Sequence, residues 1–274
     1  MFEPGSSIRV VGHRGAAGAA PENTVEAISH GLAGGAQAIE VDVHATRCGA
    51  LVAIHDSTLD RTTDGNGPVE THDLASLRGF DAGFRFTPDR GRSFPYRGTG
   101  VRIPTLDEAA DAAGDAPLII EVKTPGAGIA LADWLRKRND SERFLVGGFD
   151  RAAAAPAARV ARWTCAARED LRPFILLGKL GMRPRLRPEI TACMVPVRER
   201  ALRIVTRRFV RQAHDSGLSV YVWTVNRPSE MRRLLNLGVD GLISDVPARA
   251  RRILQEQAVW GLSSGMVATS GNSD

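Results

Sequence analysis

At 274 residues, with 43% hydrophobic and 24% charged residues, the chain has the length and balance of a globular protein that buries a full core. No apolar run approaches the roughly 18 to 20 residues of a membrane-spanning helix, and Met1-Phe2-Glu3-Pro4-Gly5 lacks the basic and apolar regions of a signal peptide. The net charge of +5 would admit a nucleic-acid partner, but the basic residues are overwhelmingly Arg scattered along the chain, with Lys only at 123, 137 and 179. That pattern reads as compositional bias and argues against nucleic acid.

In chain order, short apolar and often β-branched runs alternate with helical stretches. Strands are expected at 8–12, 38–43, 118–122, 144–148, 163–167, 192–197, 219–224 and 241–244. Helices fit between most of them: 24–33 after an Asn23 cap, 106–113, 129–138, 152–160 (with Pro156 inside), 203–215 and 229–237. Gly217 and Gly238 stand where left-handed helix ends belong. This alternation implies an α/β fold with a parallel sheet, and eight such units suggest a (β/α)8 TIM barrel with its function at the C-terminal strand ends.

One connection breaks the pattern. Thr46-Arg47-Cys48-Gly49 reads as a tight turn, so 51–54 folds back on the extension of the second strand as an extra hairpin. A turn centred between Cys48 and Gly49 puts His55 opposite Asp42. The segment 79–103 reads as an irregular insertion loop over the barrel mouth. One domain is expected over 1–258, followed by a disordered tail over 259–274 that is rich in Ser and Gly. The run from Arg198 to Arg211 contains Arg203, Arg207 and Arg211 at helical spacing, a solvated helix face or a weak contact for a membrane surface. Cys48, Cys165 and Cys193 are odd in number and never form CxxC, which fits a reducing, cytoplasmic setting.

The chemistry gathers at strand ends. Val11-Gly12-His13-Arg14-Gly15 closes the first strand with an imidazole and a guanidinium. Glu40 and Asp42 share one face of the second strand by its period of two. Glu121 ends a further strand and Lys123 shares its parity. Three carboxylates in apolar strands repel one another, and a hard cation such as Mg2+ or Ca2+ removes the conflict. The competing reading pairs the acids with Arg14 and Lys123 as a buried ion network. His13 and His55 each end an apolar run beside a charged residue, which suits an acid–base pair. His30, His44, His72 and His214 are read as structural. Glu22 and Asn23 are expected to cap the first helix and brace the His13 loop. Trp223 is placed either against substrate or in barrel packing.

The ordered set His13-Arg14-Gly15, Pro21-Glu22-Asn23-Thr24, Glu40-Val41-Asp42, His55-Asp56, Leu59-Asp60-Arg61-Thr62-Thr63, Ile103-Pro104-Thr105-Leu106, Glu121-Val122-Lys123, Trp223-Thr224-Val225-Asn226 and Gly241-Leu242-Ile243-Ser244-Asp245 resembles the glycerophosphodiester phosphodiesterase family over nearly the whole chain. The resemblance implies a TIM barrel and divalent-metal hydrolysis of glycerophosphodiesters to sn-glycerol 3-phosphate and an alcohol. It matches Glu40, Asp42 and Glu121 to metal ligands, His13 and His55 to the catalytic pair, and Arg14 and Lys123 to phosphate contacts. The nucleophile is then either water or the substrate's own 2-hydroxyl. Two positions depart from the family's pattern: Cys48 stands where an Asp is usual, and Gly147-Gly148 where Ser-Ser is usual. Two alternatives remain. One is lysophospholipase-D-like cleavage of lysolipids, with an apolar groove at Phe80, Phe84, Phe86 and Phe94; the other is a non-catalytic barrel that binds anions or lipids.

Overall fold

The computed structural model describes residues 2, 9–182, 184–200 and 202–268, with no side-chain description at 9 or from 258 onward. The expected first strand starts at β1 (Arg9–Gly12), and Ile8 lies outside the described residues. It leads into α1 (Val25–Ala33), β2 (Ala38–Ala45), β3 (Leu51–Ala53), α2 (Leu74–Leu77) and α3 (Leu106–Ala113). Strict alternation then begins with β4 (Leu118–Val122), α4 (Pro125–Arg136), β5 (Phe144–Gly147), α5 (Arg151–Ala158), β6 (Trp163–Cys165) and α6 (Arg168–Lys179). Next come β7 (Ile190–Pro196), a short ribbon of β8 (Arg198–Glu199) and β9 (Leu202–Arg203), and α7 (Arg207–Asp215). The chain continues through β10 (Ser219–Trp223), α8 (Pro228–Leu237), β11 (Gly241–Ser244) and α9 (Pro247–Ala268).

Strands β1, β2, β4, β5, β6, β7, β10 and β11 pair in parallel, and β1 bonds to both β2 and β11, so the ring closes as the expected TIM barrel. β3 pairs antiparallel with β2 outside the ring. The strands' period of two sorts their side chains. Val11, Ala38, Ile119, Leu145, Tyr221 and Ile243 fill the barrel interior, with Phe2 packed among them. Ile39, Val41, Ile120 and Val122 face outward onto α1, α3 and α4. The next inward positions above Ala38 and Ile119 are Glu40, Asp42 and Glu121, and Asp42 stands level with Glu121 in the β2–β4 register. Strand parity therefore delivers the acids to the mouth of the barrel.

The hairpin register differs from expectation by one residue. Val43 faces Ala53 and Ala45 faces Leu51, and the Ile54 amide donates to the Asp42 carbonyl at 3.0 Å, so Ile54 rather than His55 stands opposite Asp42. The cause is a three-residue loop with Gly49 at φ 81°, which centres the turn on Cys48. The insertion that follows carries its own small core, in which Val52, Ile54, Leu59, Leu77 and Ile103 are buried together.

Other expectations shift at helix ends. Thr24 caps α1 through the Ala27 amide, not Asn23. α4 begins at Pro125, behind a Thr124 cap and a favourable first-turn proline, four residues before the expected start. α7 begins at Arg207 behind Thr206, leaving Arg203 in β9, so the basic run forms no single helix face. α6 was not expected, because Pro173 lies inside it and its Phe174-Ile175-Leu176-Leu177 run carries no helical period. α9 carries the backbone of 259–268, the first part of the stretch expected to be a tail. Residues 269–274 of that expected tail lie outside the described residues.

Candidate active site

The first strand ends in a turn that only certain residues can make. Gly15 has φ 88°, and a Cβ there would lie 2.4 Å from the Ala27 carbonyl carbon of α1. Arg14 and Asn23 also occupy the left-handed region, at φ 49° and 59°. The amide of Arg14 thereby donates to Glu40 Oε2 at 2.8 Å. Asn23 lends both ends of its side chain to Asp42: its Nδ2 donates to Oδ2 at 2.8 Å and its Oδ1 accepts the Asp42 amide at 3.0 Å. Two left-handed non-glycine residues, costing on the order of 1 kcal/mol or more each, are thus held in place by the carboxylates they serve.

Glu40, Asp42 and Glu121 present oxygens within 4.8 Å of one another, and Glu40 and Asp42 are buried. Lys123 Nζ bridges Asp42 Oδ1 at 2.7 Å and Glu121 Oε1, while Arg14 Nε lies 3.2 Å from Asp42 Oδ2. The ion network weighed against a metal is therefore partly present. It omits Glu40, which has no ion pair to a cationic side chain among the described residues. Burial, with Asp42 and then Glu121 adding repulsion, pushes the Glu40 carboxyl up to about 8. Burial also raises Glu121 despite Lys123, whereas at Asp42 burial is outweighed by Lys123 and Arg14, which hold it low. Arg14 Nε is buried without a well-aligned hydrogen bond, and its Nη1 pairs with Glu22 at 2.7 Å.

The histidines flank this cluster, each with an aspartate. His13 Nδ1 lies 2.6 Å from Asp245 Oδ1, and Asn226 Nδ2 donates to Asp245 Oδ2 at 2.6 Å. Burial opposes ionisation of Asp245, but His13 and Asn226 prevail and hold its carboxyl low. The ionised aspartate makes Nδ1 of His13 the donor and leaves Nε2 for other partners. Burial draws the His13 imidazole down, and Asp245 with Glu40 more than reverses this, so its net shift is upward.

His55 repeats the device on the hairpin side. Its Nδ1 lies 2.6 Å from Asp56 Oδ1, and Asp56 is held well below the usual carboxylate range, chiefly by hydrogen bonds from Arg61. Arg61 also pairs with Glu22, which ties the hairpin to the Arg14 loop. The buried His44 Nε2 meets the His55 carbonyl at 3.2 Å, so His44 positions the backbone that bears His55. Trp223 ends β10 and meets Phe149 edge-on at 5.4 Å. Both line a cleft that opens beside Glu121.

All eight expected site residues thus lie at the C-terminal mouth. Sequence reasoning missed the roles of Asp245, Asn226 and Arg61, although all three stand in the recognised motifs. The available signal was parity, since Asp245 lies two residues beyond the inward Ile243. The four phenylalanines that would line an apolar groove under the lysolipid alternative serve their own loop instead. Arg97 lies over Phe84 at 4.4 Å and Phe94 at 3.8 Å, Phe86 packs on Tyr96, and Phe80 on His72.

The chain resembles known proteins throughout this frame. The glycerophosphoryl diester phosphodiesterase family matches residues 13–249. A glycerophosphodiester phosphodiesterase of Caldanaerobacter subterraneus subsp. tengcongensis is 32% identical, covering 87% of this chain and 94% of that protein. One from Bacillus altitudinis is 30% identical, covering 90% and 98%. Among solved structures, a phosphodiesterase from Oleispira antarctica in complex with the product sn-glycerol-3-phosphate superposes with a TM-score of 0.72 at 25% identity, covering 90% of this chain and 96% of that one. A Mycobacterium tuberculosis domain of the family gives a TM-score of 0.80 at 24% identity, covering 92% and 100%, a likeness of fold. The family match runs from His13 past Asp245 and so includes every strand end that carries the site, and the chain belongs to the glycerophosphoryl diester phosphodiesterase family.

Proposed function

We propose that the chain hydrolyses glycerophosphodiesters to sn-glycerol 3-phosphate and an alcohol, with His13 and His55 as the acid–base pair. The observation that carries this reading is the pair of His–Asp couples on either side of three clustered carboxylates. The donor set is all oxygen, and Glu40 is raised by burial and by two neighbouring carboxylates, so Glu40, Asp42 and Glu121 suit a hard divalent ion, Mg2+ or Ca2+. Such an ion, when bound, supplies Lewis-acid stabilisation of phosphate charge.

The chain's own residues do the rest. Asp245 and Asp56 fix the two imidazoles with Nε2 uncommitted, so one takes the nucleophile's proton and the other protonates the leaving oxygen. Arg14, with its buried Nε, and Lys123 carry positive charge to the non-bridging oxygens. Asn23, Glu22 and Arg61 hold those groups in register. The loop-bound phenylalanines favour this reading over lysolipid cleavage. No helix among the described residues is long and apolar enough to cross a membrane, and the unpaired cysteines favour a cytoplasmic setting.

The deciding assay compares glycerol 3-phosphate release from glycerophosphoglycerol with lysophosphatidate release from a lysophospholipid, with Mg2+, Ca2+ or chelator. Loss on chelation and restoration by one ion is expected, and activity that survives chelation would remove the metal from the mechanism. His13→Ala and His55→Ala should each lower kcat by about a hundredfold or more. Near-normal kcat in either variant would refute its assigned role.

A further inference from the structure

The cleft beside Glu121 carries more positive charge than the hydrolysis described above requires. It encloses about 320 Å³ and runs from Trp223 and Phe149 at the barrel mouth to the β8–β9 ribbon. Leu171, Ile175 and Met194 supply apolar lining. Arg168, Arg172, Arg198 and Arg200 stand around it, and among the described residues none of the four is ion-paired with a carboxylate. Glu121 and Glu199 are the acids in its wall, and Glu121 is already engaged by Lys123.

The face of Phe149 is taken as well. Lys123 Nζ lies 5.9 Å from the Phe149 ring centre, Arg168 Cζ lies 5.3 Å from it, and Trp223 packs perpendicular to the ring with centroids 5.4 Å apart. A quaternary ammonium group seeking the face of Phe149 would therefore meet cations in its place. The ribbon bearing Arg198 and Arg200 turns with Arg200 at φ 52°, a left-handed conformation that costs a residue with a Cβ.

We propose that this cleft receives the leaving alcohol and selects glycerophosphodiesters whose alcohol bears a phosphate or carboxylate charge over those bearing a quaternary ammonium. This rests on the phosphodiesterase reading above. Four exposed positive charges around the cleft, opposed in its wall by Glu199 once Glu121 is engaged by Lys123, sum to a potential that favours an anion and repels a cation, most strongly at low salt.

Three diesters separate the possibilities: 1,3-bis(glycerophospho)glycerol, whose leaving alcohol is anionic, glycerophosphoglycerol, whose alcohol is neutral, and glycerophosphocholine, whose alcohol is cationic. The ratio of kcat/KM for the anionic over the cationic diester should be about tenfold or more at low salt and shrink at high salt. The pairs R198Q/R200Q and R168Q/R172Q should each reduce that ratio by about fivefold, while R211Q on α7, outside the cleft, leaves it in place. Equal kcat/KM for the two diesters, or a ratio that neither double variant moves, would overturn the proposal. If all three diesters prove inert, the phosphodiesterase reading fails, and calorimetry still judges the cleft. Tighter binding of the anionic diester that weakens in R198Q/R200Q would sustain the proposal, and equal dissociation constants would end it.

Discussion

Replacing Asp245 by Asn tests the mechanism at a residue that touches no substrate. In the native site Asp245 divides its oxygens: Oδ1 accepts from His13 Nδ1 and Oδ2 accepts from Asn226 Nδ2, each at 2.6 Å. Asn226 Oδ1 is committed to the Asp245 amide at 3.0 Å and the Ser244 hydroxyl at 3.1 Å, so the Asn226 amide cannot turn over freely. An asparagine at 245 must then offer its carbonyl to Asn226 Nδ2 and its NH2 to His13. That forces His13 Nδ1 to accept and moves the ring proton to Nε2, the atom needed for catalysis. Volume and packing barely change, whereas the tautomer inverts. The analogous inversion in a Ser-His-Asp triad lowers kcat by about 10⁴, and loss of the aspartate's charge acts in the same direction. We therefore expect Asp245→Asn to lower kcat by about 10² to 10⁴, or about 2.7 to 5.4 kcal/mol of barrier, with Tm within about 2 °C of the parent. Steady-state glycerol 3-phosphate release measures this directly. Because the residues act as one unit, the H13A/D245N double variant should be no slower than H13A alone. A kcat within about threefold of the parent, or fully additive losses in the double variant, would refute the tautomer argument.

Three further outcomes follow from the same geometry. Glu40→Gln removes a buried carboxyl that must either ionise at a cost or take up a proton, its value being raised to about 8, so in chelator at pH 7 the variant should be more stable by about 1 to 3 kcal/mol in urea denaturation while its activity is lost; a less stable variant would contradict that cost. Gly15→Ala puts a Cβ at φ 88° against the Ala27 backbone, and should cost about 2 to 4 kcal/mol together with activity, because the Arg14 amide then leaves Glu40. Asp140 is held well below the usual carboxylate range by hydrogen bonds from Arg138 and Arg143. Its stabilising effect is present above about pH 4 and fades as pH falls through the lowered native value. Asp140→Asn should therefore cost about 0.5 to 1 kcal/mol at pH 7, with the deficit closing in acid; a deficit independent of pH would rule out an ionic origin.

Much of the site was legible because strand parity is a local property. Glu40 and Asp42 lie on one face of β2, and Glu121 and Lys123 at one end of β4, by a period of two that needs no tertiary information. The barrel followed from alternation, and β4 and β11 have the expected bounds. The hairpin was legible, but its register was not. One residue in the turn decides whether Ile54 or His55 faces Asp42, and that choice depended on the backbone of Gly49.

Other features were set by distance in sequence. Asp245 reaches His13 only because β11 closes the ring against β1, 232 residues away. Likewise Arg61 joins Glu22 to Asp56 across the hairpin, a pairing that no spacing rule encodes. The cleft with its four arginines unites α6 with the β8–β9 ribbon, and neither element was expected. By itself, the sequence determined which groups carry the chemistry and which way each strand presents them, since both depend on residue type and local period. Tertiary structure decided which carboxylate steadies each histidine, which acid is left without a cation, and what charge surrounds the leaving group. Those are sums over neighbours that only ring closure brings together.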